Sequence, residues 1–257
     1  MNKHIKKKFL GEVYINDKIE DIINSPKNLI NQQIDLENVS EEHYAFIRTN
    51  DNRILQAFLY HHNGRQRLIP EPDPILIYFH TAYVNYKRIS EFKDLILDST
   101  TLDKMDESAM EYLYDYFGLV SSCVILLFTS LEAIMNRVIS KDFIYIKEMS
   151  NRTEHYSKAQ IERHLSFDEK INKIIPLATG KNFSHNYSNQ ITVIRSLKEY
   201  RDMIVHTKEL EHHTTYDYLY KNSFSFDYLG VFNAVKDFCN YYMETDYIEN
   251  CPCSRNW

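Results

Sequence analysis

Arg201 and His206 stand five positions apart in the run Arg-Asp-Met-Ile-Val-His. A guanidinium grips an anion through paired donors, and an imidazole side chain gains and loses a proton near neutrality. Ile191, Ile194, Leu197, Ile204 and Val205 mark the apolar face of a helix over 188–205, and Arg201 projects near the centre of that face. Asp202 lies four positions before His206, a spacing at which two helical side chains meet. A carboxylate there would favour imidazolium or fix the neutral tautomer. On an earlier helix Ser122, Thr129, Glu132 and Asn136 fall on one strip at about 100° per residue. Glu132 is the one formal charge on that strip, and a carboxylate leaving water needs a partner. Two accounts fit. In one, Glu132 and Arg201 are a buried ion pair and Asp202 and His206 a surface pair of small energetic weight. In the other, a cation beside an imidazole near a helix end receives an anionic substrate.

Other candidates carry less. Cys251-Pro-Cys253 is half a metal site without a second pair at zinc spacing, so no metal is expected. Cys123 and Cys239 read as packed thiols, His212-His213 as a polar loop pair, and His155 and His164 as flanks of a short polar segment. Tyr112, Tyr114 and Tyr116 could stack on bases, although core and rim positions are commoner for aromatic rings. Arg65, Arg67 and the lysines of Met-Asn-Lys-His-Ile-Lys-Lys-Lys could touch phosphate, but such charges usually sit on a solvated strand or arm.

Residues 1–72 read as a small β-rich region. Weak alternation over 9–15, β-branched and aromatic runs over 44–48 and 54–60, and a strand over 66–69 flank Thr-Asn-Asp-Asn and His-His-Asn-Gly turns, which predicts an antiparallel sheet. Pro70, Pro72 and Pro74 oppose helix until they end. Residues 73–250 then read as helical. Long helices are predicted from Ile75, over 107–139, 188–205 and 227–243, and a short one after the capping pattern Ser166-x-x-Glu169. The fold class is mainly α, a four-helix bundle with a small N-terminal β-rich region.

Composition narrows the function classes. With 5 Gly and 6 Pro in 257 residues, turn-dense sandwiches and propellers are excluded, as are glycine-rich phosphate loops. A net charge of −6 argues against a diffuse basic surface for duplex nucleic acid. The stretch Leu119–Phe128 falls short of the roughly 20 residues of a membrane span. No signal peptide is evident, so a cytoplasmic protein is expected.

Arg201-Asp-Met-Ile-Val-His206 resembles the R-x4–6-H motif of HEPN domains, and Thr129-Ser-Leu-Glu-Ala-Ile-Met-Asn136 resembles the second helix of many bacterial members. The architecture is similar over about residues 75–248; the N-terminal sheet is no part of that family's core. The resemblance implies a metal-independent endoribonuclease, without cofactor, cutting RNA to a 2′,3′-cyclic phosphate or 3′-phosphate and a 5′-hydroxyl. Arg201 and His206 would be catalytic, with Asp202 orienting His206 and Glu132 and Asn136 positioning Arg201. It further implies a homodimer whose two motifs face one cleft, and a toxin or phage-defence role restrained by an antitoxin such as a small nucleotidyltransferase. If the helix continues past His206, the imidazole points about 140° from Arg201, and a second copy is needed to join them. The alternative is a non-catalytic HEPN-like module that binds nucleotide, RNA or a protein partner.

Overall fold

The computed structural model describes residues 29–30, 45–48, 54–100, 107–206, 216–243 and 247–248. The strand expected over 9–15, the N-terminal lysines, His212-His213 and Cys251-Pro-Cys253 lie outside the described residues. The protein is mainly helical, with strands gathered toward the N-terminus. It divides into two compact units, one up to Ile77 and one from Tyr78.

The first unit holds a four-stranded sheet in the order β1 (Leu29–Ile30), β2 (Ala45–Arg48), β3 (Ile54–His62) and β4 (Arg65–Pro70). β2, β3 and β4 pair antiparallel, but β1 pairs parallel with β2, so the sheet is mixed and not wholly antiparallel as expected. Asn63 and Gly64 join β3 to β4 with φ of 51° and 72°. Both central residues of this two-residue hairpin turn are left-handed, which is why Asn-Gly occupies it. Ala45, Phe46, Ile54, Leu55 and Ala57 are buried.

α1 (Pro74–Ser99) opens on the last proline of the run, at a position where proline's missing N–H costs nothing. α2 (Glu107–Arg137) follows, then a hairpin of β5 (Ile144–Glu148) and β6 (Thr153–Ser157). Next come α3 (Lys158–His164), α4 (Phe167–Glu169), a π-helical turn (Lys170–Ile174) and α5 (Ile175–Thr179). α6 (Phe183–Asn186), α7 (Ser188–Val205), α8 (Asp217–Ser225) and α9 (Tyr228–Tyr242) complete the described elements. Ser166 caps α4 by accepting from the Glu169 N–H.

α9 is central to the second unit. Val231, Phe232, Val235, Phe238 and Cys239 are buried on it, and α7 and α2 pack against it. The Phe232 ring meets Phe79, Tyr83 and Tyr86 of α1 at centroid distances of 5.4, 5.7 and 5.5 Å. α2 buries Val120, Cys123, Val124, Leu127, Phe128, Leu131, Ile134 and Met135. By length and composition its stretch Ala109–Arg137 could cross a membrane, yet 44% of its most apolar window is already buried within the protein. α8 docks on α2 through Phe224, stacked on the buried Tyr116 at 4.9 Å.

Because three rings of α1 converge on Phe232, Phe232→Ala is expected to lower the unfolding free energy by about 3–5 kcal/mol in urea. A loss under about 1 kcal/mol would contradict this packing.

Candidate functional site

α7 and α2 bring Arg201 and Glu132 together. Arg201 Nη2 lies 3.4 Å from Glu132 Oε2, and Arg201 Nη1 donates to Asp202 Oδ1 at 2.8 Å. The guanidinium also lies over the Phe128 ring, 4.5 Å from its centroid. Phe128 sits one turn before Glu132 on α2, so one helix face offers both ring and carboxylate. Arg201 therefore does not stand naked on an apolar face. Its side chain is 25% exposed, with Glu132 at 42% and Asp202 at 33%. Pairs this accessible are each worth no more than about 1 kcal/mol. They fix where the guanidinium lies more than they stabilise the fold.

Asp202 gives its second oxygen to Lys198, whose Nζ donates to Oδ2 at 2.7 Å. Lys198 and Asp202 are four positions apart, as are Asp202 and His206; the structure uses the first pair. Both Asp202 oxygens are thus committed to cations, and neither is given to the imidazole. Burial pulls the Asp202 carboxyl upward, but the hydrogen bonds and charges of Lys198 and Arg201 outweigh it and hold the group below its ordinary value.

α7 ends at Val205, and His206 adopts φ −110° and ψ 53° while its N–H closes the last helical bond to Asp202 O at 2.9 Å. Val205 is 48% exposed, so the buried face expected to include it ends earlier, at Ile191, Ile194, Leu197 and Tyr200. Among the described residues the His206 imidazole is exposed and has no hydrogen-bond or ion-pair partner. It lines an open depression of about 630 Å³ with Glu199, Asp202, Met203 and Tyr218. Arg201 is not among these lining residues. Asp202 links the two expected catalytic residues, holding Arg201 with one oxygen and lining the depression that His206 shares. Asn136, expected to position Arg201, keeps its Oδ1 buried with no hydrogen bond among the described residues.

The β5–β6 hairpin braces this arrangement. Lys147 lies 2.8 Å from Glu169, and Tyr145 donates to the same carboxylate at 3.3 Å. Glu169 belongs to α4, whose buried Phe167 packs on Phe128 at 5.6 Å. Lys170 opens the π-helical turn, is buried, and donates to Glu162 O at 2.9 Å. Burial draws its ammonium below the usual value, opposed by the charges of Glu132 and Glu162. π-Turns recur at functional sites, and no sequence pattern announces this one. Phe128, Lys170 and Lys198 are thus site residues that the motif does not point to.

The remaining candidates take no part in these contacts. His155 is exposed on β6 and His164 is exposed at the end of α3. Tyr116 is buried and Tyr114 is 80% exposed, while Arg65 and Arg67 are exposed on β4. Cys123 and Cys239 are buried, and burial pushes the Cys123 thiol up. Among the described residues no cluster of three or more His, Cys, Asp or Glu is placed to hold a metal ion. No protein-family model matches the chain, and no curated protein or solved structure is significantly similar to it.

Asp202→Asn tests the Lys198–Asp202–Arg201 contacts. A depressed native pKa contributes stability that is fully present above the unfolded carboxyl value of about 4 and is lost as pH falls through the native value. The variant should be less stable than the native protein by about 1 kcal/mol or less at neutral pH. In urea titrations the gap should hold down to about pH 5 and close below about pH 4. A gap that widens in acid would contradict the assignment.

Proposed function

We propose that α1, α2, α7 and α9 form a HEPN-like four-helix bundle, and that the protein is a metal-independent endoribonuclease with a composite site in a homodimer. The observation that carries this reading is the placement of Arg201. It is fixed on α7 by Glu132, Asp202 and the Phe128 ring, while α7 stops at an exposed His206 that has no partner among the described residues. The packing of α7 on α2 and α9, and of α1 rings on Phe232, supports the bundle.

In the proposed reaction the 2′-oxygen of single-stranded or looped RNA attacks the adjacent phosphorus. His206 takes the 2′-hydroxyl proton, and the P–O5′ bond breaks as the 5′-oxygen leaves and is protonated. A two-fold related His206 can supply that proton. Arg201 donates to the non-bridging oxygens and stabilises the charge that develops on them. Asp202 and Glu132 aim the guanidinium. The products are a 2′,3′-cyclic phosphate, or the 3′-phosphate after hydrolysis, and a 5′-hydroxyl. By resemblance, such an enzyme acts in the cytoplasm as a toxin or phage-defence effector and is restrained by an antitoxin such as a small nucleotidyltransferase.

One observation favours a second reading. The Arg201 guanidinium already contacts two carboxylates, an arrangement that suits a non-catalytic module binding nucleotide, RNA or a protein partner. The two readings differ in turnover. In EDTA, the native protein is expected to cut single-stranded RNA. Arg201→Ala and His206→Ala are each expected to slow cleavage at least about a hundredfold with unchanged circular dichroism. Native rates in both variants would remove the nuclease reading, and RNA binding with no cleavage by the native protein would leave the module.

A further inference from the structure

The depression beside His206 has its own chemistry. Asp202, Met203 and His206 stand three, four and seven positions after Glu199, so Glu199, Asp202 and Met203 share one face of α7 and His206 follows at its C-terminal end. Tyr218 of α8 faces the same space and is 68% exposed. Among the described residues Glu199, His206 and Tyr218 have no side-chain hydrogen-bond or ion-pair partner. Asp202 differs, because Lys198 and Arg201 take both of its oxygens. Among the described residues the depression therefore offers an unpaired carboxylate, an unpaired phenol and an unpaired imidazole beside a carboxylate already occupied by cations.

A free carboxylate in a site for RNA is at first unexpected, since it repels phosphate. It suits a base edge instead. Among the four RNA bases, guanine alone presents two neighbouring donors, N1–H and the 2-amino group, on its Watson–Crick edge. The two oxygens of a carboxylate accept both at once. Adenine and cytosine set an acceptor beside their donor, and uracil flanks its donor with acceptors, so each turns a lone pair toward the carboxylate. An exposed tyrosine ring gives an unstacked base a surface to lie on. His206, the residue that caps the end of α7, stands seven positions after Glu199, about 10 Å along the helix axis. That is comparable with the reach of one nucleotide from base edge to phosphate.

We propose that this depression seats a guanine base, with Glu199 accepting from its N1–H and 2-amino group and Tyr218 stacking on its ring. The nucleotide's phosphate then lies toward His206. The proposal rests on the nuclease reading for the role of that phosphate, and on the depression itself for the base.

Nucleoside 3′-monophosphates test the base site without any scissile bond. Titration calorimetry of the full-length chain is expected to show 3′-GMP binding at least about tenfold more tightly than 3′-AMP, 3′-CMP or 3′-UMP. The inosine analogue, which lacks the 2-amino group, should fall between. Glu199→Gln should bring 3′-GMP to the level of 3′-AMP and leave 3′-AMP unchanged, and Tyr218→Ala should weaken all four severalfold. Equal binding of the four, no binding at millimolar concentration, or a guanine preference that survives Glu199→Gln would overturn the proposal. Guanine-selective binding by a protein that never cuts RNA would sink the nuclease reading alone. Cleavage with no base preference in binding would sink this proposal alone.

Discussion

A guanidinium that leaves water must take its counter-charges with it. Arg201 does so from two directions, through Asp202 beside it on α7 and Glu132 across from it on α2, with the Phe128 ring beneath. That requirement couples the register of α2 to that of α7, because ring and carboxylate stand one turn apart on the same helix. It also occupies Asp202, whose other oxygen goes to Lys198. Among the described residues His206 is left at the end of the helix without a carboxylate partner. In the proposed reaction, the same pairing that immobilises Arg201 leaves the imidazole able to exchange a proton.

The support beneath Arg201 extends well beyond the motif. Phe128 is backed by Phe167, Phe167 belongs to the short α4, and α4 is tied to the β5–β6 hairpin through Glu169, Lys147 and Tyr145. Immediately after α4 the chain takes a π-helical turn that buries Lys170. Burying an ammonium with a backbone carbonyl as its hydrogen-bond partner is costly. The charges of Glu132 and Glu162 offset part of that cost. Glu132 therefore answers to two cations, Arg201 at contact distance and Lys170 through the field.

Long helices were the legible part of this sequence. The apolar spacing of α7 predicts 188–205, and the structure places the helix at Ser188–Val205; α9 falls within one residue of expectation at either end. Asn-Gly also announced its hairpin, because its left-handed backbone admits few residue types. Strands β2, β3 and β4 of the first unit and the short helix capped by Ser166 were legible too, but other short elements were not. The five-residue strands of the β5–β6 hairpin, α3 and the nine-residue α8 are too brief for periodicity to separate from loop, and tertiary contacts such as Phe224 on Tyr116 decide them. At the site, the pairing of Arg201 with Glu132 was one of two accounts the sequence allowed, and the structure makes it a partly exposed pair instead of the buried one expected. The competition for Asp202 did not follow, because Lys198 and His206 satisfy the same spacing rule and only rotamers choose between them. The depression was invisible for a similar reason, since Tyr218 reaches it from a helix that the sequence pattern does not show.

The chemistry of the RNA ends reports most directly on whether an arginine so held, next to an imidazole so free, performs phosphodiester transfer. Mass spectrometry of a defined single-stranded RNA incubated with the native protein in EDTA reads those ends. Attack by the 2′-oxygen requires fragments ending in a 2′,3′-cyclic phosphate or 3′-phosphate and beginning with a 5′-hydroxyl. RNA recovered intact, or fragments bearing 3′-hydroxyl and 5′-phosphate ends, would contradict it.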